Sequence, residues 1–338
     1  MSDLRVLAVA NWDAVVRPIA WAEQRLEALR RAGIDVDLLA IECCSDRRGY
    51  LRLWKALQER VASGRYDLVA PLYGSVVGLM CTLQRRVPCV VSFAGSDLNG
   101  PQRPSLELVS VPASQLSALF ARGVSVHNRR MRSALWWPPA RASCHVLSDG
   151  IDTQRFVPRA RAEARRRRGL PLDGTRILFV GAEIEARPIK RPELARAAVA
   201  RLPGATLEVA SHVPFAEMPW VYPSADALVL TSLAEGSPNC VKEALACGLP
   251  VVAVDAGDVR EIVEGLTNCA VVAPEADAIA RALSAVLADG RGCPEGPARV
   301  ASRYSLEATG ARFLRLFESA LATGCTASSS TPSRSRSS

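Results

Sequence analysis

The chain has 338 residues, 49% of them hydrophobic and 22% charged. These are globular proportions for one large domain or two ordinary ones, and they exclude a disordered or fibrous protein. The formal charge is +8, and all but three of the 42 basic residues are arginine; three histidines in all leave little room for a His-rich metal site.

Met1–Ala10 lacks the basic start and long apolar stretch of a signal peptide, and runs such as Val76–Cys81 fall far short of the ~20 residues that span a bilayer. The ten cysteines include no Cys-x-x-Cys pair and read as reduced, mostly buried thiols of a cytoplasmic protein. Taken in chain order, Leu4–Ala10 is a strand and Ile19–Arg31 a helix that stops at Gly33. Ile34–Ile41 is a second strand and Leu51–Val61 a second helix. Leu68–Leu72 and Cys89–Phe93 are strands with a helix between them. Strands alternating with helices imply a parallel sheet covered on both faces.

The pattern breaks over residues 136–158 and then restarts. Strand-like Cys144–Leu147 is followed by an Arg-rich helix, Arg159–Arg168, whose block of arginines reads as a solvated face. Strands are expected at Arg176–Gly181, Ala205–Ala210, Ala227–Leu230 and Val251–Val254, with a helix at Glu193–Arg201. The chain is thus read as two α/β domains, 1–150 and 151–322, with a disordered Ser/Thr/Arg tail over 323–338. Ligands of such sheets bind beyond the carboxyl ends of the strands.

The richest stretch is Thr231–Asp258. A strand runs into a loop with Glu235 and Gly236; Ser237 is expected as N-cap and Pro238 as the first residue of a helix that ends near Cys247, before Gly248. The helix N-terminus offers free N–H groups to an anion such as a phosphate. Glu235 and Glu243 lie eight positions apart and can each accept hydrogen bonds from a polyhydroxylated ligand. Asp35-x-Asp37 resembles a metal-binding pair, but it lies in an alternating strand with outward acids. No Gly-x-Gly-x-x-Gly or Gly-Lys-Ser/Thr motif follows the early strands.

The run Glu235-Gly236-Ser237-Pro238-Asn239, then Glu243-Ala244-Leu245-Ala246-Cys247-Gly248-Leu249-Pro250-Val251-Val252-Ala253, resembles the donor-site signature of retaining glycosyltransferases of family 4. Ile177–Gly181 with Arg187-Pro188-Ile189-Lys190, the linker Ser148–Pro158 and the loop Val90–Asp97 extend the resemblance. It implies the GT-B fold: two Rossmann-like domains facing each other across a cleft, with Ser305–Leu321 crossing back to the first domain. It implies a metal-independent hexosyltransferase moving a sugar from a nucleotide-sugar donor to a glycan or lipid-linked acceptor, in bacterial surface polysaccharide or glycolipid assembly. Glu235 would contact the donor sugar and Glu243 the ribose. Gly236, Ser237, Pro238, Asn239, Cys240 and Gly181 would border the donor, and Arg187 and Lys190 would neutralise the leaving diphosphate. Asn11, Trp12, Gly95 and Asp97 would line the acceptor side, Asp97 alternatively capping its own loop. The family's frequent histidine before Gly-x-Asp is replaced by Ala94, and its arginine after the strand glycine by Ala182.

The alternatives are a non-catalytic GT-B partner subunit and an epimerase-like enzyme of the same fold. Aromatic residues are only 5% of the chain, too few for a base-stacking surface, so no nucleic-acid partner is expected. The cluster Arg129, Arg130 and Arg132 is the expected contact with an anionic membrane surface, on the inner face of the plasma membrane.

Overall fold

A computed structural model describes residues 4–11, 20–41, 47–99, 104–181, 187–290 and 292–325. The first half contains strands β1 (Arg5–Asn11), β2 (Asp35–Ile41), β3 (Leu68–Pro71), β4 (Val90–Phe93), β5 (Gly123–Val126) and β6 (His145–Val146). Between them run helices α1 (Ala20–Arg31), α2 (Arg47–Ala62), α3 (Ser75–Leu83), α4 (Ser96–Asn99), α5 (Pro104–Phe120), α6 (Arg129–Ser133) and α7 (Pro138–Ser143). The strands are parallel in the orders β2-β1-β3 and β4-β5-β6, joined by a bridge between Val69 and Cys89. Strands β3, β4 and β5 are buried at every position, as parallel strands covered on both faces are. Gly33, at φ +80°, ends α1 in the left-handed conformation that suits glycine.

The second half is a five-stranded parallel sheet of order β11-β10-β9-β7-β8. Its strands are β7 (Thr175–Val180), β8 (Ala205–Ala210), β9 (Ala227–Leu230), β10 (Val251–Val254) and β11 (Ala270–Val272). Helices α8 (Arg161–Arg167), α9 (Pro192–Val199), α10 (Met218–Ser224), α11 (Asn239–Ala246), α12 (Val259–Val263), α13 (Ala276–Asp289) and α14 (Gly296–Tyr304) cover it. The last helix, α15 (Leu306–Cys325), leaves this half and packs Phe313, Leu316, Phe317 and Ala320 into the core beneath β1 and β3. Gly310 allows the approach, because a Cβ there would meet the Ala28 carbonyl oxygen of α1 at 2.1 Å.

Two expectations are corrected. The arginine block of α8 is not a uniformly solvated face: Arg165 is 1% exposed and bonds Asp226 and the carbonyls of Leu172, Gly174 and Ser224. A guanidinium can be buried when carbonyls and a carboxylate meet its donors. Arg130 pairs with Asp255 at 2.8 Å and Arg129 lies 3.8 Å from Glu261, both acids belonging to the second half, while both arginines stay largely exposed. The helix of the donor motif starts one residue late, as described below. The expected tail is helical as far as Cys325, and the remainder lies outside the described residues.

Candidate active site

The carboxyl ends of the strands in both halves face a shared cavity of about 440 Å3. Gly181, Lys190, Glu235, Gly236, Ser237, Pro238, Asn239, Cys240 and Glu243 all border it. The loop after β9 carries Glu235 and is tied to the turn at Pro188–Lys190: Leu233 N donates to Ile189 O at 2.7 Å, and the Thr231 hydroxyl bonds the carbonyls of Lys190 and Arg191 at 2.9 Å. This braid presents Lys190 to Glu235, with Nζ 2.6 Å from Oε1. Arg187 begins the same turn, is exposed and does not border the cavity; burial raises the pKa of Tyr73 in the facing half, and Arg187 is near enough to oppose that rise slightly.

Pro238, not Ser237, is the N-cap of α11, and its side chain makes no capping bond. The Ser237 hydroxyl instead bonds Asp258 at 2.8 Å, an attraction from a different element that local spacing does not reveal. The first amides of α11 therefore have no side-chain cap and point along the cavity wall. Glu243, one turn on, is 6% exposed. Burial raises its pKa, while the Tyr222 hydroxyl, donating to Oε2 at 2.5 Å, pulls it back.

The two halves meet closely at Gly236. A Cβ there would lie 2.1 Å from the Ala94 carbonyl oxygen and 3.0 Å from His127 Nδ1. Asn128 Nδ2 donates to Gly236 O, and Gly95 abuts Gly236 from the other side. Asp97 is wholly buried, and its carboxylate accepts from the backbone N–H groups of Gly74, Ala94 and Gly95. Burial raises the Asp97 pKa and those N–H groups oppose it. Its acceptors are thus spent on shaping the loop. Asn11 ends β1, whereas Trp12 and Ala182 lie outside the described residues.

Composition and motif reading passed over several lining residues. His127 sits at the end of β5, and Trp21 and Gln24 come from α1. Asp149 lies in the linker, and His212 and Phe215 follow β8. Arg25 explains the placement of His127: its Nε bonds Asp149 at 2.6 Å, Nη1 the Leu72 carbonyl at 3.2 Å and Nη2 His127 Nε2 at 2.8 Å. Arginine only donates, so Nε2 accepts and the proton sits on Nδ1, beside the Ala94 carbonyl. Burial, aided by Arg25 and opposed by Asp149, lowers the His127 pKa to about 4, so the ring is neutral near pH 7. Lys242 of α11 completes the network by donating to Asp149 O at 2.8 Å. Nothing in the spacing of these residues signals their meeting, because they come from α1, β5, the linker and α11.

Residues 150–289 match the family model Glycosyl transferases group 1. The chain is 27% identical, over 324 residues, to D-inositol 3-phosphate glycosyltransferase of Mycobacterium tuberculosis, covering 82% of this chain and 66% of that protein. The chain therefore spans just under two thirds of the length of that relative. Among solved structures it resembles sucrose-phosphate synthase from Thermosynechococcus elongatus, with TM-score 0.77 and 18% identity over 95% of this chain and 100% of that one. It also resembles Anabaena HepE in complex with UDP-glucose, with TM-score 0.74 and 16% identity over 94% and 100% of the two chains. The chain has the GT-B fold, and its second half carries the sequence pattern of Glycosyl transferases group 1.

Proposed function

We propose that this protein is a retaining, metal-independent glycosyltransferase of family 4 that transfers a sugar from a nucleotide-sugar donor to a glycan or lipid-linked acceptor in bacterial surface polysaccharide or glycolipid assembly. The observation that carries this reading is the convergence of Lys190, Glu235, Glu243 and the uncapped start of α11 on one cavity at the carboxyl ends of both sheets. Donor chemistry fits that set. A departing nucleoside diphosphate gains negative charge, which a fixed ammonium and backbone N–H dipoles stabilise in a water-poor cleft. Glu235 then receives the sugar hydroxyls and Glu243 those of the ribose. The leaving phosphate can take the acceptor's proton as the new bond forms on the same face of the sugar.

The test is calorimetry and turnover with a panel of nucleoside diphosphates and their sugars. Glu243→Gln should weaken nucleotide binding about 10- to 100-fold, the worth of a charge-assisted hydrogen bond. Glu235→Gln should lose turnover while keeping nucleotide affinity. Full activity in Glu235→Gln would sink the assignment of the site.

A lipid surface is the acceptor environment we favour. Leu108, Val109, Leu116, Leu119 and Phe120 form an exposed apolar stripe along α5. Arg85 stacks over Phe120, and Arg86 and Arg122 border the same hollow. Apolar side chains rimmed by arginine suit an anionic bilayer.

A further inference from the structure

Gln24 is 4% exposed and borders the donor cavity from α1, in the half opposite the donor motif. Its amide lies near enough to Glu243 to favour the ionised carboxylate. Yet neither Oε1 nor Nε2 completes a hydrogen bond of good geometry with the protein. A buried primary amide in that condition is destabilising unless something else satisfies it, because its lost hydration is not made good. Its position is not slack. The next residue, Arg25, is pinned by Asp149, Leu72 and His127, and α15 packs behind the helix at Ala28.

From this we infer that Gln24 is a specificity-determining contact to the vicinal diol of a ribonucleoside diphosphate, closing over the sugar that Glu243 holds from the other half. The inference rests on the nucleotide-sugar reading of the cleft. Its chemical basis is complementarity. A carboxylate can only accept, so Glu243 takes the hydroxyl protons of the diol and leaves the hydroxyl lone pairs unmet. Gln24 Nε2 supplies the donor that Glu243 lacks. Because the two residues come from opposite halves, the diol would also help hold the cleft shut.

The experiment uses the full chain and three pairs of probes: UDP and dUDP, ADP and dADP, GDP and dGDP. Binding is measured by calorimetry, and the melting temperature of the unliganded protein is recorded for wild type, Gln24→Met and Glu243→Gln. Gln24→Met should weaken the ribonucleotide by about 3- to 10-fold and shrink the preference for it over its 2′-deoxy counterpart. The unliganded Gln24→Met protein should melt no lower than wild type, because a thioether of similar volume removes an unsatisfied amide. An unchanged ribo-to-deoxy ratio would overturn the proposal, as would a lower melting point with unaltered affinity. If Glu243→Gln weakens binding and Gln24→Met does not, only the Gln24 assignment fails. If no probe binds wild type, or Glu243→Gln binds as wild type does, the nucleotide reading fails with it.

Discussion

His127, one of three histidines in the chain, borders the cavity. The molecule gives it a particular place: a neutral ring, fixed in one tautomer by Arg25, whose Nδ1 faces the Ala94 carbonyl and Gly236. The unfolded chain binds a proton at this ring near pH 6.5 and the native chain only near pH 4. Its contribution to stability is therefore complete above about pH 6.5 and lost as the pH falls to about 4. Asp258 acts in the opposite sense. Burial lifts its pKa from 3.8 to about 6, so its contribution is lost as the pH rises through that interval. The two offset each other in the intact protein. Denaturant titrations of wild type and His127→Gln should separate them: the stability of wild type relative to the variant should fall by roughly 3 kcal/mol between pH 7 and pH 4. A constant difference across that range would show that the ring is not held neutral.

The loop and helix from Glu235 to Ala246 supply the longest contiguous stretch of the cavity wall, and most of that stretch is legible in the sequence. Gly248 at φ +74° ends the turn after α11, and Pro250 leads into β10, as the spacing suggested. Pro238 rather than Ser237 is the N-cap because Asp258, 21 residues on, draws the Ser237 hydroxyl away from the helix. The sequence pattern marks no helix or strand between residues 94 and 135, where the structure has α4, α5, β5 and α6. Helix α5 contains Pro112 and shows apolar residues on its outer stripe as well as its inner face, which erases the usual two-faced period. Gly236 is the element's sharpest constraint. Gly236→Ala should push the cleft open, since the new methyl meets backbone at Ala94 rather than a yielding side chain. Small-angle scattering should show a larger radius of gyration, and turnover should fall by more than about tenfold, one misplaced contact in the near-attack geometry being enough for that. An unchanged radius with full turnover would mean that the halves do not meet at Gly236 in solution.

At the scale of the whole molecule, α15 returns from the second half to complete the core of the first, and buried Arg25, Asp149 and Lys242 join the halves beneath the cavity. Exposed ion pairs from Arg129 to Glu261 and from Arg130 to Asp255 also bridge the two halves. The exposed stripe of α5 is the surface on which the membrane proposal can be tested. The full chain should sediment with vesicles containing anionic lipid and be released by salt, and Phe120→Glu with Leu116→Glu should abolish sedimentation without altering nucleotide affinity. Salt-insensitive behaviour, or unchanged sedimentation of the double variant, would remove the membrane from the account.

By itself the sequence determined the alternation of strand and helix, the break near residue 150 and the glutamates of the donor loop. Each of these is written locally, in periodicity, in a turn residue or in a contiguous motif. Only the tertiary structure decided which arginines are solvated, that Asp97 spends its acceptors on its own loop, and that His127 and Gln24 look onto the cavity. The last of these depends on partners more than a hundred residues apart, such as Arg25 and His127 or Gln24 and Glu243. Burial sets the charge state and hydrogen bonding of such groups, and burial exists only once the halves have folded and met.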